Sequence, residues 1–139
     1  MTDRDELLDL YAGYLEACNR HAWDELSPRL ADTVLVNGVS ISRAEYMANL
    51  AALQDVFPDY QWRLKRAVVE PPWMAVHLET SGTRRRPFLD APGDGTRVSS
   101  DEFVMYRIER LTIVELWGTA DNARLGTPRP ADPPTAPAT

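Results

Sequence analysis

The sequence has few of the side chains that carry metal, redox or disulfide chemistry. Among its 139 residues there is one cysteine, Cys18, and there are two histidines, His21 and His77. A single cysteine excludes an internal disulfide and any multi-cysteine metal or redox motif. Because the two histidines are far apart in the sequence, they give little support for a zinc site completed by carboxylates. We therefore expect no metal site.

Basic charge and long apolar runs are also scarce. The net charge is −6, from 15 Lys and Arg against 21 Asp and Glu, which disfavours non-specific binding to nucleic acid or anionic lipid. The opening "MTDRDELLDLY" lacks an apolar signal core, and no segment approaches the roughly 20 apolar residues of a membrane span. We expect a cytoplasmic protein that binds neither nucleic acid nor membrane. The basic run 84–86 is expected to be a solvated loop, with an anionic or carboxylated ligand as the alternative.

Helical patterns occupy the first part of the chain. Apolar residues recur at helical spacing over Asp3–Arg20, with Thr2 or Asp3 as the expected cap, and Cys18 lies on that apolar face. A short helix is expected over Trp23–Leu30, bent or interrupted at Pro28. After two short strands joined by an Asn-Gly turn, Ser42 is expected to cap a third helix in a capping box with Glu45, and Pro58 to stop it.

The remainder is typical of strands. Four strand segments follow, the first of them clearly alternating. The last two form a hairpin that turns near Arg110-Leu111, two residues that prefer negative φ and suit a tight turn poorly. Helices first and an antiparallel sheet afterwards predict an α+β domain over residues 1–126. A strongly curved sheet over the first helix would enclose a cone whose open end is a ligand site. Residues 127–139 hold five of the 11 prolines and are expected to form a disordered tail.

Several segments in order carry a family resemblance: "YLEACNRHAWDEL", "VNG", "SRAEY", "VFPDYQW", "MAVHLETSGT" and "VMYRIERLTIVELWGTADN". Over about residues 5–126 the chain resembles the SnoaL-like polyketide cyclases of the NTF2-like superfamily. The resemblance implies an α+β cone, with three helices packed in a strongly curved, mostly antiparallel sheet that encloses a deep pocket. It also implies a homo-oligomer, a dimer through the outer sheet face or a tetramer.

The same resemblance implies a reaction. The best-known relatives close the last ring of anthracycline-type polyketides by an intramolecular aldol condensation without metal or organic cofactor, so the substrate is expected to be a small hydrophobic, (poly)aromatic molecule. A single C-terminal aspartate serves as acid and base, and Asp121 falls on that position, four residues after Trp117. Relatives often have other residues at Arg84, at His77 and at the Arg110-Leu111 turn. The wider superfamily leaves open another pocket chemistry (a hydroxylation partner, an isomerase or an epoxide-opening cyclase) or non-catalytic binding of a polycyclic ligand.

An aspartate at the end of an apolar strand suits this chemistry. A free aspartate has a pKa of about 3.9, too low for an efficient acid at neutral pH, and apolar walls raise the pKa by destabilising the charged form. The candidate walls around Asp121 are Tyr14, Phe57, Leu116 and Trp117. The structural interpretation is that Asp121 only bonds a backbone N–H at a strand end.

Other candidate residues each have a structural alternative. His77 is interpreted mainly as a polar residue of the outer or dimer face, with a hydrogen bond to substrate or a pair with Glu79 as the alternative. Glu102 is interpreted mainly as a surface acid, or else as a second acid/base group one strand from Asp121. Asn37 could reach the cavity mouth or serve as a left-handed turn residue, and Tyr14 could point its hydroxyl into the pocket or pack in the core. Arg107 and Glu115 are expected to form an ion pair across the final hairpin.

Overall fold

A computed structural model describes residues 3–120 of the chain. The helices are α1 (Arg4–Asn19), α2 (Trp23–Leu26), the 3-10 turn Ser27–Arg29 and α3 (Arg43–Val56). The strands are β1 (Leu30–Val36), β2 (Val39–Ser42), β3 (Gln61–Glu70), β4 (Trp73–Thr83), β5 (Arg97–Glu109) and β6 (Thr112–Ala120). The catalytic candidate Asp121, the 126/127 boundary and the proline-rich segment lie outside the described residues. None of the helices in residues 3–120 is long and apolar enough to cross a membrane.

The predicted helix starts and stops are confirmed. Asp3 and Glu6 form a reciprocal capping box at the start of α1, with both N–H···O distances 2.9 Å, which satisfies two otherwise unpaired backbone donors. Pro28 lies in the 3-10 turn that interrupts the second helical segment. The Ser42 hydroxyl accepts the Glu45 N–H at 3.0 Å, which is one of the two hydrogen bonds of the predicted capping box, and α3 ends at Val56, two residues before Pro58.

The six strands form one curved, unclosed sheet in the order β2-β1-β6-β5-β4-β3. All neighbouring strands are antiparallel except β1 and β6, which are parallel. The predicted α+β class and the mostly antiparallel sheet are therefore confirmed. The parallel pair joins the early strands β1 and β2 to the last strand, so β2 and β3 are the two edges of the sheet.

Each long strand divides its side chains between two faces. On β4 and β5 the even-numbered side chains are buried on the side of the sheet that carries the helices; they include Met74, Val76, Leu78, Thr80, Val98, Ser100, Val104 and Tyr106. We call this the concave side. Odd-numbered neighbours point to the opposite, outer face, where Phe103 and Met105 are exposed. This period of two follows from the pleat of the strand.

Two tight turns join neighbouring strands through left-handed backbone. Asn37 and Gly38, with φ of 47° and 87°, connect β1 to β2 as predicted. Arg110 and Leu111, with φ of 53° and 59°, connect β5 to β6. The position of the final turn is thus confirmed, although its residues adopt the positive φ that their side chains disfavour.

The basic run departs from its prediction at one residue. Arg84 is 2% exposed, and its Nε donates to the carbonyl oxygen of Pro92 at 2.5 Å while Nη2 lies 3.3 Å from Asp94 Oδ1. The solvated-loop interpretation is therefore wrong for Arg84, because the 84–96 loop folds over the guanidinium and supplies its acceptors. The neighbouring Arg86 is exposed and pairs with Asp55 at 3.1 Å.

Candidate active site

The concave side carries an acidic residue in the middle of β5. Glu102 stands between Ser100 and Val104 in the even-numbered set, opposite Leu78 of β4 and Ala120 of β6. The residue is partly rather than fully buried. The interpretation of Glu102 as a surface acid is wrong, because the register of β5 turns it toward the helices and not toward the outer face.

The environment of Glu102 disfavours its charge. Burial raises the pKa of the carboxyl group, and a hydrogen bond from the Trp62 side chain opposes that rise. No Lys, Arg or His within residues 3–120 forms an ion pair with Glu102. A carboxyl group removed from water without a cationic partner binds its proton more tightly. This is the kind of shift that catalytic acids need.

Buried hydroxyl groups line the same side of the sheet. The hydroxyls of Tyr14 and Tyr46 are 2.6 Å apart, and those of Tyr11 and Tyr106 are 3.1 Å apart. Burial raises the pKa of all four phenols, so they stay neutral and can donate as well as accept hydrogen bonds. The charge of Glu102 acts on three of them, Tyr11, Tyr46 and Tyr106.

A thiol and further hydroxyls complete this polar lining. Burial raises the pKa of the Cys18 thiol to about 12, with a smaller rise from the charge of Glu102. The thiol is therefore a poor nucleophile, as expected for a small buried hydrophobe. Nearer the start of β5, Thr80 Oγ1 and Ser100 Oγ are 2.8 Å apart, and both hydrogen-bond to Tyr60. Within residues 3–120 no three His, Cys, Asp or Glu side chains are grouped to hold a metal ion.

Two other predicted site residues also lie on the helix side of the sheet. Tyr14, on α1, is 4% exposed with its hydroxyl on Tyr46, which is the satisfied hydroxyl of the core-packing interpretation. Phe57 is fully buried at the end of α3, where its ring packs edge-to-face on Phe88 with centroids 5.4 Å apart. Phe57 thus packs in the core, where its ring contacts are with Tyr60 and Phe88.

Trp117 lies on the outer face and not on the concave side. Its side chain is 43% exposed, and its Nε1 donates to Glu115 Oε2 at 2.6 Å. Glu115 also accepts from Arg107 Nε at 2.8 Å, which confirms the ion pair predicted across the final hairpin. The alternation of β6 explains the placement of Trp117, because Leu116 next to it takes the buried side.

His77 also lies on the outer face. Its Nε2 is 2.9 Å from Asp101 Oδ1, and its ring stacks on Phe103 with centroids 4.6 Å apart and an interplanar angle of 16°. The alternative pairing with Glu79 is wrong, since the adjacent strand β5 brings Asp101 to the imidazole while Glu79 pairs with Arg63. Its place on this face agrees with the interpretation of His77 as an outer-face residue.

Asn37 is a left-handed turn residue at the edge of the same face. Its Oδ1 accepts the backbone N–H of Gly118 at 2.8 Å, and this bond ties the β1–β2 turn to β6. Asn37, His77 and Trp117 share the lining of an open groove of about 600 Å³ on the outer face with Arg66, Phe103 and Met105. The predicted residues therefore divide into two sets: Tyr14, Phe57 and Glu102 on the helix side, and Asn37, His77 and Trp117 on the outer face.

Sequence reasoning missed two residues beside Glu102 and Tyr14. Trp62 hydrogen-bonds to Glu102, and Tyr46 pairs with Tyr14. The alternation of Tyr60, Trp62 and Leu64 placed Trp62 on one face of β3, but nothing local indicated that this face was the one opposite Glu102. Tyr46 lies on α3, and its hydroxyl partner Tyr14 is 32 residues away in the sequence, so no local pattern indicates the pair.

Comparison with known proteins identifies the class to which this fold and site belong. The model of the SnoaL-like polyketide cyclase family matches residues 8–127, and the chain belongs to that family. A SnoaL-like polyketide cyclase from Agrobacterium tumefaciens is 29% identical, with a TM-score of 0.79 over 86% of this chain and 94% of that one. No curated protein sequence matches.

More distant solved structures share the NTF2-like fold. IdmH from Streptomyces antibioticus, a proposed polyketide cyclase, is 24% identical with a TM-score of 0.76 over 86% of this chain and 97% of its own. AclR from Streptomyces galilaeus, a proposed hydroxylase, is 21% identical with a TM-score of 0.77 over 88% and 94%. At these identities the likeness concerns the fold alone, and one fold hosts more than one chemistry.

Proposed function

We propose that the protein is a polyketide cyclase that closes a ring of an aromatic polyketide intermediate by a cofactor-independent intramolecular aldol reaction. The substrate is a small hydrophobic molecule with an acidic C–H flanked by carbonyl groups and a second ketone within reach of that carbon. Family membership supports the class of reaction. The observation that carries the proposal is the concave side itself, where a partly buried glutamate and neutral phenols are set among apolar side chains.

In the proposed reaction Asp121 is the base. Its carboxylate takes the proton from the acidic carbon, and the carbanion attacks the ketone to form the new carbon–carbon bond. The carbonyl electron pair moves to oxygen, and the resulting alkoxide takes up a proton. In the simplest version one carboxyl group performs both transfers in turn, so that the reaction needs no external acid.

Replacement of the base tests this function. We expect Asp121→Asn to keep the fold and to lose activity by about 10²–10⁴-fold, the usual contribution of a general acid–base group. The assay follows ring closure of a synthetic aromatic β-keto ester that carries a pendant ketone, and circular dichroism checks the fold. Ring closure by the variant at the wild-type rate would refute the role of Asp121. Tight binding of the compound with no product from either protein would favour the non-catalytic binder.

Epoxide opening is the second candidate, and one observation favours it. Epoxide opening normally needs two acidic side chains. The sequence alone indicates Asp121 as one of them and Glu102 only as an alternative for the other. Because Glu102 lies on the concave side, the need for a second acid is no longer an argument against epoxide opening. An epoxide analogue of the same aromatic skeleton, tested beside the keto ester, separates the two reactions.

We also propose that the protein is a homo-oligomer assembled through the outer face of its sheet. Apolar side chains on that face are unusually exposed: Val68 by 64%, Phe103 by 53%, Met105 by 44% and Trp117 by 43%. Contiguous exposed apolar surface of this kind marks association sites in soluble proteins. A second copy would cover the groove that Phe103, Met105 and Trp117 line.

A further inference from the structure

We propose that Glu102 is a second catalytic group of the concave side, the acid that protonates the oxygen of the attacked ketone. This inference rests on the aldol reaction proposed above and divides its two proton transfers between two carboxyl groups. Asp121 would take the proton from carbon, and Glu102 would supply the proton to oxygen. The first argument is position, because the register of β5 places Glu102 between Ser100 and Val104 on the concave side, facing the helices.

The second argument is the set of groups that face Glu102 from the surrounding elements. Helix α1 presents Tyr11 and Cys18, and helix α3 presents Tyr46. Burial raises the pKa of each of these groups, and the charge of Glu102 adds a smaller rise. Strand β3 presents Trp62, which donates a hydrogen bond, and β5 itself presents Tyr106. None of these groups is cationic, so among residues 3–120 no positive charge beside Glu102 stabilises its carboxylate.

The third argument is access. A carboxyl group that is fully enclosed by protein is normally hydrogen-bonded within the protein. Glu102 is instead partly exposed, with the Trp62 side chain as its hydrogen-bond donor among the described residues. One indole N–H satisfies only part of the bonding capacity of a carboxyl group. The remaining capacity is available to a ligand oxygen on the concave side.

The proton balance of this division is complete. Asp121 gains the carbon proton, and the carbanion electron pair forms the carbon–carbon bond. The carbonyl π electrons move to the oxygen, which takes the Glu102 proton and becomes a hydroxyl. After product release Asp121 loses its proton to water and Glu102 takes one up, so the net reaction is an isomerisation that consumes no proton. The raised pKa of Glu102 fits this role, since the acid must be protonated before the reaction begins.

The test compares Glu102→Gln with Asp121→Asn in the ring closure of the same aromatic keto ester. Glutamine keeps the size of the side chain but has no transferable proton, so we expect kcat to fall about 10²-fold or more. The rate of wild-type enzyme should fall at high pH as Glu102 ionises, and this fall should be absent from the residual activity of Glu102→Gln. Glu109→Gln is the matched control, since it makes the same change at an exposed position of the same strand and should leave the rate and its pH profile unchanged.

The outcomes separate the two proposals. If Asp121→Asn loses activity while Glu102→Gln keeps both the wild-type rate and the wild-type pH profile, the inference about Glu102 is refuted and the single-acid mechanism stands. If wild-type protein does not close the ring, the proposed function fails for this substrate class. The Glu102 inference is then decided by a carbon-13 NMR titration of its carboxyl group. A pKa at or below the ordinary value for glutamate would overturn it.

Discussion

The turn between β5 and β6 is a site where one substitution should stabilise the protein. Arg110 has a φ of 53°, and left-handed backbone costs a non-glycine residue about 1–2 kcal/mol. Glycine avoids this cost but loses about 0.5–1 kcal/mol through the greater freedom of the unfolded chain. The side chain of Arg110 is exposed, so little packing is lost. We expect Arg110→Gly to raise the free energy of unfolding by about 0.5–1 kcal/mol.

Leu111 provides the internal comparison. Its φ of 59° gives it the same backbone cost, but its side chain is only 44% exposed. Full burial of a leucine side chain stabilises by about 1.5–3 kcal/mol, so loss of roughly half of that contact offsets the relief of strain. We therefore expect Leu111→Gly to leave stability within about 0.5 kcal/mol of the wild type.

Urea and thermal unfolding measure these differences. For a domain of this size the expected gain corresponds to a rise in Tm of about 2–4 °C. Arg110→Ala is the control, because it removes the side chain but keeps a Cβ in left-handed backbone. If Arg110→Ala raised Tm as much as Arg110→Gly, the gain would come from loss of the arginine and not from relief of backbone strain, and the reasoning would be refuted.

Two further predictions concern Glu102 and the outer face. The pKa of Glu102 is raised in the folded protein, so its contribution to stability is present below the unfolded pKa and is lost as the pH rises through the folded pKa. Glu102→Gln should therefore be more stable than wild type at neutral pH in urea unfolding, with the difference shrinking as the pH falls below the unfolded pKa; an equal or lower stability at neutral pH would contradict this. Phe103→Asp places a charge in the apolar outer face and should dissociate a homo-oligomer in sedimentation velocity, whereas the exposed, distant Glu16→Gln should not; wild-type protein that sediments as a monomer would refute the oligomer.

Much of the fold could be predicted because its signals are local. The start of α1 follows from Asp3 and the start of α3 from Ser42, since a short polar side chain satisfies backbone donors only a few residues away. The Asn37-Gly38 turn is equally local, because both residues tolerate the positive φ that a tight hairpin requires. The final turn at Arg110-Leu111 was found only from the strands on either side of it, against the preference of its own residues.

The candidate site depended on long-range information and was predicted less well. Period-two alternation shows that Glu102 and Phe103 point to opposite sides of the sheet. It does not show which of these side chains points toward the helices. The glutamate was assigned to the surface because isolated acids are usually solvated. The sheet register reverses that assignment, since it aligns Glu102 with Ser100 and Val104. For the same reason Trp117 was predicted to be a wall of the pocket, although its indole lies on the outer face.

The pleat of β5 interleaves two independent sets of positions in one short stretch of gene. Even-numbered codons from 98 to 106 specify what a bound molecule would meet, and the odd-numbered codons between them specify what another macromolecule would meet. Point mutations can therefore alter either property alone, whereas insertion or loss of a single codon in this stretch would exchange the two sets. Variation within the strand should consist of substitutions, with changes in length confined to its ends.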